Sequence, residues 1–115
     1  MTPRPRRPRY TLIPHPEAVA DIAALASQGP AVVAAAAAIA DGLAFGRVIG
    51  KELGLRNISG DLSGQYLVKF DVAGQRPQRF RLIYRQVDVT TRELVAIGRR
   101  EEHAIYRLAS SRLSP

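Results

Sequence analysis

Apolar and polar positions along the chain fall into successive patterns. Tyr10–Ile13 is a short extended run stopped by Pro14. From Pro16 the spacing turns helical: Val19, Ile22 and Leu25 or Ala26 share one face, while Glu17 and Asp21 oppose the positive end of the helix. Gly29 ends that helix and Pro30 opens a second through Val32, Ala36, Ile39 and Leu43, with Asp41-Gly42 as its fraying end. So short a turn predicts an antiparallel helical hairpin, and the run Ala34–Ala38 predicts a tight helix–helix contact.

Residues 46–64 hold five glycines and no sustained period, which predicts a connector with one helical turn near Lys51–Leu53. Period two then sets in. Tyr66, Val68 and Phe70 alternate with Leu67 and Lys69 in Gln65–Asp71. Phe80, Leu82 and Tyr84 alternate with Arg81, Ile83 and Arg85 in Phe80–Val87, and Glu93–Ile97 is nearly all apolar, as in a buried strand. The links Val72–Arg79 and Asp88–Arg92 suit hairpins, so these strands should form an antiparallel meander. A last helix is predicted over Glu101–Leu113, with Ile105, Leu108, Ala109 and Arg112 on adjoining turns. The expected class is α+β: an N-terminal strand, an antiparallel helical hairpin packed on one face of a mainly antiparallel four-stranded sheet, and a C-terminal helix. Residues 1–9, with three prolines and four arginines, read as a flexible basic arm, and residues 10–115 as a single domain.

Composition narrows the chemistry. With 115 residues, 46% hydrophobic and 23% charged, the chain suits one modest core and not a disordered tail. Having no cysteine, it has no disulfide, thiolate zinc site or cysteine nucleophile. His15 and His103 are too far apart in sequence to suggest a histidine metal site, and no cofactor is implied. The longest apolar run, Ala31–Ala40, has ten residues, half of the roughly 20 a membrane span needs. Pro14, His15 and Pro16 interrupt any hydrophobic region that would follow the N-terminal arginines in a signal peptide. A soluble, cytoplasmic protein is expected.

The net charge of +7 is unevenly spread: +4 in residues 1–10, −3 in residues 11–46, which hold no Lys or Arg, and +6 in residues 47–115. Fifteen of the 17 basic residues are arginine, whose planar fork matches phosphate oxygens, although a GC-rich coding sequence has the same signature. Strand alternation puts Lys69, Arg81 and Arg85 on the face away from the helical hairpin, with Arg99 and Arg100 extending it and Arg76 and Arg79 in the preceding loop. A nucleic-acid partner is the first expectation.

RNA can be cut without a metal or a protein nucleophile, because the ribose 2′-OH attacks its own phosphate. Such a site needs a base, a cationic clamp, a proton donor and an aromatic ring to hold a splayed base. The candidates are Lys69, Arg81, Arg100, His103 and Tyr106, the last two sharing a helix face at a spacing of three. Each has a plainer reading. Lys69 can be a solvated strand residue, and Arg81 and Arg85 can pair with Asp71, Asp88 or Glu93. Tyr106 can anchor the last helix, and His103 can be an exposed helix-start residue.

Phe80-Arg-Leu-Ile-Tyr84 and Leu94-Val-Ala-Ile-Gly-Arg-Arg-Glu-Glu-His-Ala-Ile-Tyr106 resemble the C-terminal half of the RelE/ParE toxins of bacterial type II toxin–antitoxin systems. The order strand, helical hairpin, meander, terminal helix is similar to that family's as well. In the RelE branch the resemblance implies an mRNA interferase that enters the ribosomal A site and leaves a 2′,3′-cyclic phosphate and a 5′-hydroxyl. Lys69 then matches a proposed general base, Arg81 an arginine on the phosphate, Arg100 an arginine that helps protonate the leaving oxygen, and Tyr106 a tyrosine that stacks on a nucleotide. Arg76, Arg79, Arg85 and Arg99 would add RNA contacts, and a cognate antitoxin would be the controlling partner. RelE proper has a second lysine two residues before the base, where this chain has Leu67. The alternatives are a ParE-like DNA gyrase inhibitor and a catalytically degenerate member that only binds.

Overall fold

The computed structural model describes residues 7–56, 60–99 and 104–113. Residues 1–6 of the expected basic arm, and the candidates Arg100 and His103, lie outside the described residues. The elements run β1 (Thr11–Pro14), α1 (Pro16–Ala24), a 3-10 turn (Leu25–Gln28), α2 (Pro30–Phe45), β2 (Lys51–Arg56), β3 (Gly60–Phe70), β4 (Phe80–Gln86), β5 (Thr91–Arg99) and α3 (Ala104–Leu113). The class is α+β, but the sheet has five strands in the order β1-β5-β4-β3-β2, with β1 parallel to β5 and the other pairs antiparallel.

The extra strand corrects the expected connector. Lys51–Arg56 pairs with β3 across a bulge between Glu52 and Gly54, and no helical turn forms at Lys51–Leu53. Leu53 and Leu55 alternate with Glu52 and Arg56, a period-two signal that the surrounding glycines obscure. Gly50 sets up this strand by close approach: a Cβ there would lie 2.8 Å from the Leu67 carbonyl oxygen.

The helices also differ from expectation in how they pack. Val19 and Ile22 are exposed; α1 instead turns Ala18 into the core and Asp21 toward β5, and Leu25 of the 3-10 turn packs into the same core. The alanines of α2 make no tight seam with α1. An apolar cleft of about 140 Å³ lies there, walled by Ile22 on one side and Val33, Ala37 and Ala40 on the other, and floored by Leu82 and Leu94. Gly42 is not a frayed end. The helix runs on to Phe45 and stops at Gly46 (φ 77°), while a Cβ on Gly42 would clash with the Val48 side chain.

One sheet face carries Val68, Phe70, Phe80, Leu82, Tyr84, Leu94 and Ile97 under Ala18, Leu25, Val32, Ala36 and Leu43 of the helical segments. This is the side that the alternation assigned to the helices. Phe70 stacks on Phe80 and Tyr66 on Tyr84, at 5.6 and 5.2 Å between ring centres. On the other face, Leu67, Ile83, Val95 and Ala96 lie under Ile105 and Ala109 of α3, flanked by Leu53 and Tyr106. The face expected to be basic is therefore apolar across its middle. A bulge in β5, where Ile83 pairs with Ala96 but Tyr84 pairs with Leu94, lets both Val95 and Ala96 join this cluster.

Candidate functional site

Register divides the α3 face into transverse rows. Across β3, β4 and β5 these are Lys69–Arg81–Gly98, then Leu67–Ile83–Ala96 beneath α3, then Gln65–Arg85–Glu93. Asp71 and Arg79 lie just beyond the first row, joined through a bidentate ion pair. Opposed residues have Cβ atoms about 5 Å apart, so the first row sets two cations against each other with only a glycine beyond.

Carboxylates are spent at both neighbouring ends. Asp71 accepts from Arg79 Nε (2.8 Å), Arg79 Nη2 (2.9 Å) and the backbone N–H groups of Val72 (2.7 Å) and Arg79 (2.9 Å). The Arg79 guanidinium, first among these, holds the Asp71 carboxyl far below the ordinary carboxylate range, and the pairing raises Arg79 in turn. Arg85 lies 3.0 Å from Glu93, so it takes up the paired arrangement. Lys69 is exposed and forms no hydrogen bond or ion pair among the described residues.

Arg81 is only 4% exposed, and its Nη1 donates to the carbonyls of Gln78 (2.8 Å) and Phe80 (2.9 Å). It makes no carboxylate contact among the described residues. Tyr106, half-buried, packs against the apolar row next to Lys69–Arg81. Lys69, Arg81 and Tyr106 thus lie on the same face of the sheet. Arg79 joins them one rung away. Arg99 leaves β5 on the opposite face, where Nη1 donates to Gln28 Oε1 at 3.1 Å, and Arg76 is exposed in the β3–β4 loop. Leu67 is buried under α3, a place where a cation would lose its hydration.

Two arginines outside the candidate set have structural work. Arg92 is buried between the rings of Tyr10 and Tyr84, 3.9 and 5.0 Å from their centres. It donates to the carbonyls of Leu43 (2.9 Å) and Val48 (3.2 Å), satisfying the end of α2. Arg112 of α3 bonds both oxygens of Asp21, at 2.5 and 3.0 Å, and the Val95 carbonyl at 2.8 Å. Asp21 also accepts the Ile97 N–H (3.2 Å), which β1, ending at Pro14, cannot reach. This bond explains why Asp21 turns inward while Val19 and Ile22 stay out. His15 caps α1 by accepting the Glu17 N–H at Nδ1, 3.1 Å.

Among the described residues no group of His, Cys, Asp and Glu could hold a metal ion, and no helix is long and apolar enough to cross a membrane. Comparison with protein-family models, curated proteins and solved structures finds no match to this chain.

Proposed function

We propose that the protein is a RelE-type toxin of a type II toxin–antitoxin system, a cytoplasmic, metal-independent mRNA endonuclease acting in the ribosomal A site under a cognate antitoxin. The observation that carries this reading is the Lys69–Arg81 row, two opposed cations with no carboxylate partner among the described residues, on the sheet face where Tyr106 packs. In the reaction the ribose 2′-oxygen bonds to the adjacent phosphorus while the bond to the 5′-oxygen breaks, leaving a 2′,3′-cyclic phosphate and a 5′-hydroxyl. Lys69 takes the 2′-OH proton and Arg81 offsets charge on the phosphorane. Tyr106 stacks on a splayed base, and Arg100 or His103 supplies the proton to the leaving oxygen.

Induced expression should arrest growth and place cuts inside translated codons on primer extension. Tyr106→Ala, Lys69→Ala and Arg100→Ala should each relieve the arrest while the protein stays folded by circular dichroism. Growth arrest with intact mRNA and accumulated gyrase–DNA complexes would replace this reading with a ParE-type activity. One observation favours a second reading, a member that binds its partner without cutting: Arg81 is buried, with Nη1 on the carbonyls of Gln78 and Phe80. That reading expects neither arrest nor cleavage.

A further inference from the structure

A small polar cleft of about 180 Å³ opens at the end of the sheet, between Pro77–Arg79 and Arg99. That volume is below the roughly 300–1,000 Å³ of pockets for drug-sized ligands. It suits a small oxyanion and a few waters. Its walls carry two guanidinium groups. Arg79 is fixed by Asp71 through Nε and Nη2, which leaves three of the five donors of an arginine for a ligand. Arg99 is steadied by one bond from Nη1 to Gln28. Arg81 adds a third guanidinium, bonded to the carbonyl of Gln78 in the cleft wall. Among the described residues, Lys69, Arg79, Arg81 and Arg99 gather at this end against Asp71, since Asp21 is committed to Arg112. Such a surplus of fixed positive charge repels itself unless an anion joins it.

We infer that this cleft is a phosphate-binding subsite, holding one oxyanion between the guanidinium groups of Arg79 and Arg99. Arg79 lies two residues from Arg81 along the chain, about 7 Å in extended backbone. Neighbouring phosphates of a nucleic-acid strand are separated by a similar distance. The cleft then takes the phosphate next to the one at Lys69–Arg81, so the ligand is a polynucleotide and not a lone phosphate ester. This assignment to a polynucleotide rests on the ribonuclease reading; the anion site itself does not.

The test follows the arginine Nε–Hε resonances of the full chain by NMR during two titrations. One uses inorganic phosphate, the other a 2′-O-methyl RNA tetranucleotide that cannot undergo 2′-OH attack. Both should shift the Arg79 and Arg99 signals, with the oligonucleotide binding more tightly. Arg99→Gln should weaken both about ten-fold, the loss of one charge-assisted contact. Lys51→Gln, exposed on β2 away from the cleft, should change neither. Equal binding by wild type and Arg99→Gln, or shifts spread over all arginines, would overturn the site. Phosphate binding as tight as oligonucleotide binding would overturn the polynucleotide assignment and leave a free-phosphate site. Arg99-dependent phosphate binding in a protein that cuts no mRNA would sink the ribonuclease reading while supporting the subsite.

Discussion

The two faces of the sheet are built from the same strands by different rules. Under α1 and α2 the rows are apolar from Tyr84 to Phe80, and the polar Arg92 is buried with its donors on carbonyls and a glutamine oxygen. Under α3 only the middle row is apolar, and charged rows flank it. The first face is organised for stability. The second leaves Lys69 exposed at one end, opposite the buried Arg81, with no carboxylate partner for either among the described residues. A like-charge pair that costs stability in the free protein is where binding is to be sought.

Breaking the first face should have the largest effect. Leu82→Ala, fully buried against the helices, should lower unfolding free energy by about 3 kcal/mol or more in urea titrations. Arg112→Ala should cost about 3 kcal/mol, because it strands Asp21 at the β5 edge and releases α3 from α1. Asp21→Ala should be less harmful when added to Arg112→Ala than alone, and a double-mutant cycle would measure that coupling.

Smaller effects sharpen the contrast. The pKa of Asp71 is lower in the folded chain than its ordinary value near 3.9 in the unfolded one, so its contribution is complete above about pH 5. It drains away as the pH falls below 4 toward the folded value. Asp71→Asn should therefore destabilise the protein at pH 7 and flatten its stability profile below pH 4, as read from thermal melts across pH. The half-exposed Arg85–Glu93 pair should couple by less than about 1 kcal/mol in a double-mutant cycle. Lys69→Ala should move stability by no more than about 0.5 kcal/mol, toward the stable side, since it removes a like charge opposite Arg81. Its effect should instead appear in growth arrest, the readout of the proposed site.

Much of this contrast is legible in the chain. Strand parity puts Tyr66, Val68, Phe70, Phe80, Leu82 and Tyr84 on one face and Lys69, Arg81 and Arg85 on the other, because side chains alternate whatever the partner strand. Parity does not say how far a helix extends over a face. Leu67 and Ile83 share parity with the cations, yet α3 covers them and leaves Lys69 out. The partner of an arginine is equally hidden: Arg85 meets Glu93, as its pairing alternative had it, whereas Arg81 turns to carbonyls and Asp71 takes Arg79. β2 is hidden in the sequence because glycines at 50, 54, 60 and 64 dilute a six-residue alternation.

The sequence by itself determined the α+β class, the helical segments bounded by Pro16, Gly29 and Pro30, the β3–β4–β5 meander and the residue types available for RNA chemistry. These follow from local periodicity and from proline and glycine geometry, which act over a few residues. Only the tertiary structure decided the fifth strand, the inward turn of Asp21, the burial of Arg81, Arg92 and Arg112, and the row that leaves Lys69 uncovered. Those depend on bonds between residues far apart in the chain, such as Asp21 with Ile97 and Arg112, where one buried polar group must find another and local pattern gives way to that demand.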